Sequence, residues 1–278
     1  MSVQRPVLRY FGGKWMLAPW IISHFPPHRI YVEPYGGAAS VLMRKPKSYA
    51  EVYNDLDGDV VNLFEVLRDP ILSSELEHRL RMTPFARAEF DSAYEPRTDY
   101  LERARALIIR AYMGFGSDGH NPENGKTGFR ANSNRSGTTP AHDWANFPDQ
   151  IKAFCDRLRG VVIENRDALE VMKQQDSPET LHFVDPPYVH ETRGSKHGYR
   201  FEMTNEDHER LLDFLKFEIH GMILLCGYDN SLYRTRLDWT RVERESHVDG
   251  PRDRTEVLWL NPAAAKAQTQ ISLFEATP

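Results

Sequence analysis

Cysteine is nearly missing. Cys155 and Cys226 are the only two in 278 residues, too few for a disulfide framework, and a reducing cytoplasm fits. Cys226 sits in an apolar run and reads as a packed side chain. No apolar run approaches the ~20 residues of a membrane span, and the N-terminus shows no signal-peptide pattern. Positive charge is not in excess: 35 Lys and Arg stand against 40 Asp and Glu, a net charge of −5. That balance argues against a pure nucleic-acid-binding module, which is usually basic. It leaves room for an enzyme with a local basic face. The histidines, His182, His190, His197, His208 and His220 among them, show no zinc spacing, so no metal is assigned. No internal repeat is visible.

What is present centres on Asp185-Pro186-Pro187-Tyr188. The apolar stretch Leu181-His182-Phe183-Val184 before it reads as a buried strand. Two prolines end that strand, because neither donates to a sheet ladder and both fix φ. Asp185 therefore falls at the carboxyl end of a strand, where open α/β sheets bind ligands. The carboxylate and the Pro186 carbonyl suit the acceptance of hydrogen bonds from an NH2 group, and Tyr188 suits stacking on its ring. An ordinary turn has the same composition, so the tetrapeptide gains meaning only from what precedes it.

Three segments precede it. Tyr10-Phe11-Gly12-Gly13-Lys14 is a glycine turn with a lysine behind it. Arg29–Val32 reads as a strand, closed by Glu33 and followed by Pro34-Tyr35-Gly36-Gly37-Ala38-Ala39-Ser40, whose small residues let a ligand sit close to backbone N–H groups. Alanines stand where a dinucleotide fingerprint has its later glycines, and no Gly-Lys-Ser/Thr of a P-loop follows. Ala50–Tyr53 reads as the next strand, and Asp55 at its end is placed to accept two ribose hydroxyls.

Taken in this order, the four segments resemble the N6-adenine DNA methyltransferases of the DNA adenine methylase family, from about Arg9 to Asn261. The resemblance implies a Rossmann-like α/β sheet ending in an antiparallel hairpin, with S-adenosyl-L-methionine as cofactor and double-stranded DNA as partner. Tyr10 and Lys14 match its cofactor-contacting positions and Asp55 its ribose position. Glu33, Tyr35, Gly36, Gly37 and Asp185 complete the expected cofactor set, and Asp167, after the strand Val161–Glu164, is a candidate on the adenine side. Asp185, Pro186, Pro187 and Tyr188 are the expected catalytic set. Cytosine N4 is chemically close to adenine N6, and the tetrapeptide alone does not separate them; the order of motifs favours adenine. A catalytically silent DNA-binding or cofactor-sensing relative stays open as well.

Residues 58–148 change character. Helical patterns at Leu72–Arg81, Pro84–Tyr94 and Tyr100–Met113 lead into a polar stretch, Gly114–Trp144, that reads as loop or short hairpin. This is too long for a plain connection. It is expected to be an inserted, mostly helical target-recognition domain, with residues 1–57 and 149–278 forming the discontinuous catalytic domain. Arg103, Arg110, Lys126, Arg130 and Arg135 are its candidate DNA contacts. Arg252-Asp253-Arg254, at the tip of the final hairpin, suits a phosphate. In the tail, 262–278, the small-residue stretch Ala263–Gln268 reads as a linker or frayed helix. Beyond it Gln270-Ile271-Ser272-Leu273-Phe274 resembles the short peptide by which bacterial replication proteins bind the sliding clamp.

Overall fold

The computed structural model describes residues 2–275 apart from 118, 120, 123–124, 132–136, 193–197 and 247–253. Its frame is a seven-stranded sheet of β1 (Ile30–Glu33), β2 (Ala50–Asn54), β3 (Val161–Glu164), β4 (Thr180–Val184), β5 (Met222–Tyr228), β6 (Thr240–Ser246) and β7 (Arg254–Leu260). The order is β3-β2-β1-β4-β5-β7-β6. β1 to β5 run parallel, and β7 pairs antiparallel with both β5 and β6. The expected α/β sheet with a terminal antiparallel hairpin is therefore what the chain forms. Chain order reverses between β1 and β4, so a crevice opens at the carboxyl ends of those two strands.

Side-chain alternation divides the core. Tyr31, Tyr53, Leu181, Phe183, Leu224, Cys226, Leu258 and Leu260 face one side, and Val184, Ile223, Leu225, Val257 and Trp259 face the other. β4 is buried on both faces, as a central parallel strand should be. On the first side pack α1 (Ala18–Ile22), α2 (Ser40–Arg44), α3 (Gly58–Arg68) and α8 (Ile151–Leu158). They share that core with α4 (Pro70–Met82), α5 (Arg87–Ser92), α6 (Tyr100–Met113) and α7 (Pro140–Ala145). α9 (Ala168–Gln175), α10 (Asn205–Phe217) and α11 (Ser231–Arg236) cover the other side.

Start signals are local. Asp57, Asp69, Asp99 and Asn230 cap their helices by accepting backbone N–H groups, and Thr204 with Asp207 forms a capping box. α6 spans the expected Tyr100–Met113. The polar stretch after it makes one isolated bridge, Gly114 with Phe129, and α7 emerges within the segment expected to be loop.

Of the two alternatives expected for the tail, the chain forms the helix: Pro262–Glu275 is α12, with Ala264 buried and Ala263, Ala265 and Ala267 packed against the core. Asn261 starts it: its Oδ1 accepts from Ala264 N and Ile223 N, and its Nδ2 donates to Gly221 O. Alanine has the highest helix propensity and proline is favoured in the first turn. The segment is thus a docked helix, whose backbone continues through Gln270–Phe274. Among the described residues no helix is long and apolar enough to cross a membrane.

Candidate active site

The crevice at the switch point holds a concave pocket lined by Tyr10, Lys14, Glu33, Asp55 and Asp185 among others, the kind of place where small molecules bind. Its floor comes from strand ends. Gly36 and Gly37 follow β1, and a Cβ on Gly36 would meet the Tyr53 ring at 2.0 Å. Gly37 has φ +47°, and a Cβ there would meet the Tyr10 ring at 2.9 Å. Both positions therefore demand glycine. Glu33 lines the same floor, with Oε2 accepting from Tyr31 OH at 2.6 Å and from Leu42 N at 3.0 Å. Burial pushes its carboxyl up to about 8, against the Tyr31 bond.

Asp55 follows β2. Its Oδ2 accepts from Gly37 N at 2.7 Å and its Oδ1 from Asp57 N at 2.8 Å. Each oxygen keeps a lone pair for a ligand hydroxyl. Burial raises this carboxyl to about 6, opposed by those amides. Asn54, beside it, is wholly buried and stitches the strand ends: its Nδ2 donates to the Pro34 and Arg166 carbonyls, and its Oδ1 accepts from Arg166 N. That tie sets the spacing between the Gly36–Gly37 turn and Asp55.

Asp185 follows β4, and Lys14 reaches it from the turn before α1. Lys14 Nζ lies 3.0 Å from Asp185 Oδ2 and donates to Gly12 O at 2.7 Å. Gly12 has φ +70°, which lets the turn fold back this tightly. Burial lowers the Lys14 pKa, but Asp185 and then Glu256 outweigh it and hold it well above the usual lysine range. Burial raises Asp185, with Lys14 opposing. The other oxygen, Asp185 Oδ1, is buried with no hydrogen bond of normal geometry among the described residues, although the Tyr188 hydroxyl and the Cys226 thiol also help to stabilise the carboxylate. The Asp185 side chain is part-buried and lines the cavity, so its carboxylate is an acceptor within reach of a ligand N–H.

Tyr188 differs from the expected exposed stacking ring. It is only 5% exposed, its hydroxyl points inward to Glu256 Oε2 at 2.9 Å, and Lys14 Nζ sits 4.5 Å from the ring centroid. The residue at the cavity wall from this tetrapeptide, besides Asp185, is Pro187.

Of the remaining expected residues, Tyr10 and Tyr35 line the cavity. Asp167 does not; it caps α9, accepting from Leu169 N and Glu170 N, and its neighbour Ala168 takes the wall. Arg110 is buried, donating to the Ala93 and Gly119 carbonyls. A guanidinium packed this way is structural and does not reach a phosphate. Arg103 is paired with Asp59 at 2.6 Å, which ties α6 to α3. Lys126 is half-exposed and paired with Asp91. Arg130 is half-buried and donates to Tyr112 O at 3.1 Å. Arg135, Arg252 and Asp253 lie outside the described residues.

Tyr199, Arg200, Phe201, Glu202 and Met203 also line the cavity. Tyr199 packs edge-on against Phe11, and Arg200 pairs with Asp57 at 3.1 Å. Polar, aperiodic sequence after Asp185-Pro186-Pro187-Tyr188 gives these wall residues little signal beyond their nearness in the chain.

A search among solved structures returns a candidate methylase from Haemophilus influenzae at 12% identity, covering 89% of this chain and 87% of that one, with a TM-score of 0.34. A search among curated proteins returns no match. The family model for D12 class N6 adenine-specific DNA methyltransferases matches residues 10–223. That span runs from the ring of Tyr10, beside Gly37, past the Asp185 tetrapeptide and into β5, and the chain belongs to the D12 class of N6 adenine-specific DNA methyltransferases.

Proposed function

We propose that the protein transfers a methyl group from S-adenosylmethionine to the N6 amine of an adenine flipped out of double-stranded DNA. The observation that carries this reading is the Asp185 carboxylate lining the cavity at the carboxyl end of β4, 3.0 Å from the ammonium of Lys14.

The residues present fit the cofactor. Gly36 and Gly37 let the rings of Tyr53 and Tyr10 close on the turn that forms the cavity floor, Asp55 keeps free lone pairs for ribose hydroxyls, and the wall is mostly apolar and aromatic. When bound, S-adenosylmethionine supplies an electrophilic methyl carbon whose bonding electrons return to sulfur as the new bond to nitrogen forms.

The chain's own groups do the rest. The adenine amine is a weak nucleophile because its lone pair is delocalised into the ring. Asp185 Oδ1 and the Pro186 carbonyl accept its two N–H bonds, which localises the lone pair toward the methyl group. The methylated amine is cationic and gives up one N–H proton, which Asp185 is placed to receive. Lys14 keeps Asp185 ionised for this, since an opposite charge within ~4–6 Å favours the charged form. Flipping costs a few kcal/mol, and stacking on an aromatic ring of the cavity wall, where Tyr10, Tyr35 and Tyr199 stand, returns ~1–3 kcal/mol. Tyr188 carries the Lys14 ammonium over its buried ring and so helps to hold that charge beside Asp185. Arg130 and Lys126, with Arg135, are the proposed contacts to DNA.

The test is modification-sensitive sequencing of DNA from a methylation-deficient host expressing the protein. N6-methyladenine should recur in one short sequence, and Asp185→Ala should abolish it. Methylation on cytosine N4, or none with a folded protein, refutes the reading.

A further inference from the structure

β7 carries a carboxylate where its neighbours are apolar. Val257, Leu258, Trp259 and Leu260 are all fully buried, and Glu256 is only 3% exposed. Its register partner on β5 is Tyr228, whose ring packs edge-on against Tyr188 at 4.7 Å. The Glu256 side chain turns into the sheet core. Its Oε2 accepts from Tyr188 OH at 2.9 Å and lies 3.9 Å from Cys226 Sγ, while Tyr188 OH lies 3.2 Å from the same sulfur. Burying a charge is expensive, and a neutral hydrogen-bonding side chain of the same shape would satisfy the hydroxyl at lower cost. Glu256 also lies outside residues 10–223, the span matched by the family.

We propose that Glu256 is a positioning residue for methyl transfer, acting through the Tyr188 hydroxyl. The inference rests on the methyltransferase reading above. The hydrogen bond fixes the ring in one orientation at the strand end. A phenol donating to a carboxylate also becomes more electron-rich, which strengthens its hold on the cation over its face. That cation is the Lys14 ammonium, 4.5 Å from the ring centroid and 3.0 Å from Asp185 Oδ2. Asp185 acts on the amine during methyl transfer, so the benefit falls on that step and not on binding. The charged and titratable groups around the hydroxyl are Asp185, Lys14, Cys226 and Glu256 itself. Glu256 also favours the charged form of Lys14, so a role as its counterion is the rival to be separated.

The experiment uses the full chain, with DNA carrying the site found by sequencing. Single-turnover rates and KM for DNA and cofactor are measured for the parent, Glu256→Gln, Tyr188→Phe and the double variant. Glu256→Gln should slow methyl transfer about 3- to 30-fold with both KM values nearly unchanged, the span of a strengthened cation–π contact. Tyr188→Phe should slow it similarly, and adding Glu256→Gln to it should cost nothing more. A Glu256→Gln rate within about twofold of the parent overturns the proposal, as does an equal further loss on the Tyr188→Phe background, which would mark Glu256 as a counterion for Lys14. Should Glu256→Gln fail to fold, Tyr188→Phe reads the same contact from the other side. Its loss of rate at unchanged KM supports the proposal, and a parental rate overturns it. A parent that methylates no DNA refutes the underlying reading instead, and is seen before any variant is made.

Discussion

Replacing Lys14 with methionine keeps the apolar stem and removes the charge 3.0 Å from Asp185 Oδ2. At an effective dielectric near 20, two unit charges at that distance attract by about 5 kcal/mol. Water entering the gap returns part of this. Burial already raises the Asp185 carboxyl, and Lys14 is the largest influence holding it down. Without Lys14 the carboxyl should move further up, because an opposite charge this close favours the ionised form. A protonated Asp185 cannot accept the proton of the methylated amine, so activity needs the carboxylate and is lost as pH falls through its pKa. The acid limb of the single-turnover rate, at saturating cofactor and DNA, should therefore move alkaline in Lys14→Met, with activity returning above it. Glu33 faces Asp185 and titrates at about 8, so the comparison is repeated in a Glu33→Gln background to separate the two carboxyls. A rate depressed equally at all pH, with the acid limb in place, would mean that Lys14 binds cofactor and does not tune Asp185.

Asp55→Ala should weaken cofactor binding by about 1.5–3 kcal/mol, the range for hydrogen bonds to a charged group, and calorimetry checks it. Because the Asp55 carboxyl is raised to about 6, cofactor affinity in the parent should fall as pH drops through that value and stay flat in the variant. Arg130→Ala should weaken DNA binding and reduce its salt dependence by about one counterion, with cofactor affinity unchanged; an unaltered slope makes Arg130 structural. Asp176→Ala should destabilise the fold by roughly 2–4 kcal/mol in denaturant unfolding, because its carboxylate accepts from the His220 and Gly221 amides and faces the buried His182 ring. Burial pushes the Asp176 carboxyl up, but the bonds from His182, His220 and Gly221 outweigh this and hold it well below the carboxylate range. Its stabilisation is therefore complete above the unfolded value near 3.8 and lost as pH falls toward the folded one. The parent should lose stability on acidification more steeply than the variant.

What was legible in the sequence is what local chemistry dictates. Two prolines stop β4 wherever they occur, so Asp185 had to fall at a strand end. Gly36 and Gly37 announced a close approach, and the rings of Tyr53 and Tyr10 are what approaches. Charge misled where its surroundings were tertiary. Arg110 belongs to a basic-looking stretch, yet its carbonyl partners, Ala93 and Gly119, come from two separate turns that only the folded chain brings around it. The Ala263–Gln268 stretch showed no apolar stripe, because alanines beside a sheet need none to dock. Glu256 is the clearest case. It stands 68 residues from the tyrosine whose hydroxyl it holds, on a strand that reads from the sequence only as part of the final hairpin. Only the antiparallel pairing of β7 with β5 brings it under Asp185-Pro186-Pro187-Tyr188. The hairpin that distinguishes this sheet from a plain parallel one thus does more than close an edge: it carries a buried carboxylate to the back of the tyrosine whose ring holds the Lys14 ammonium.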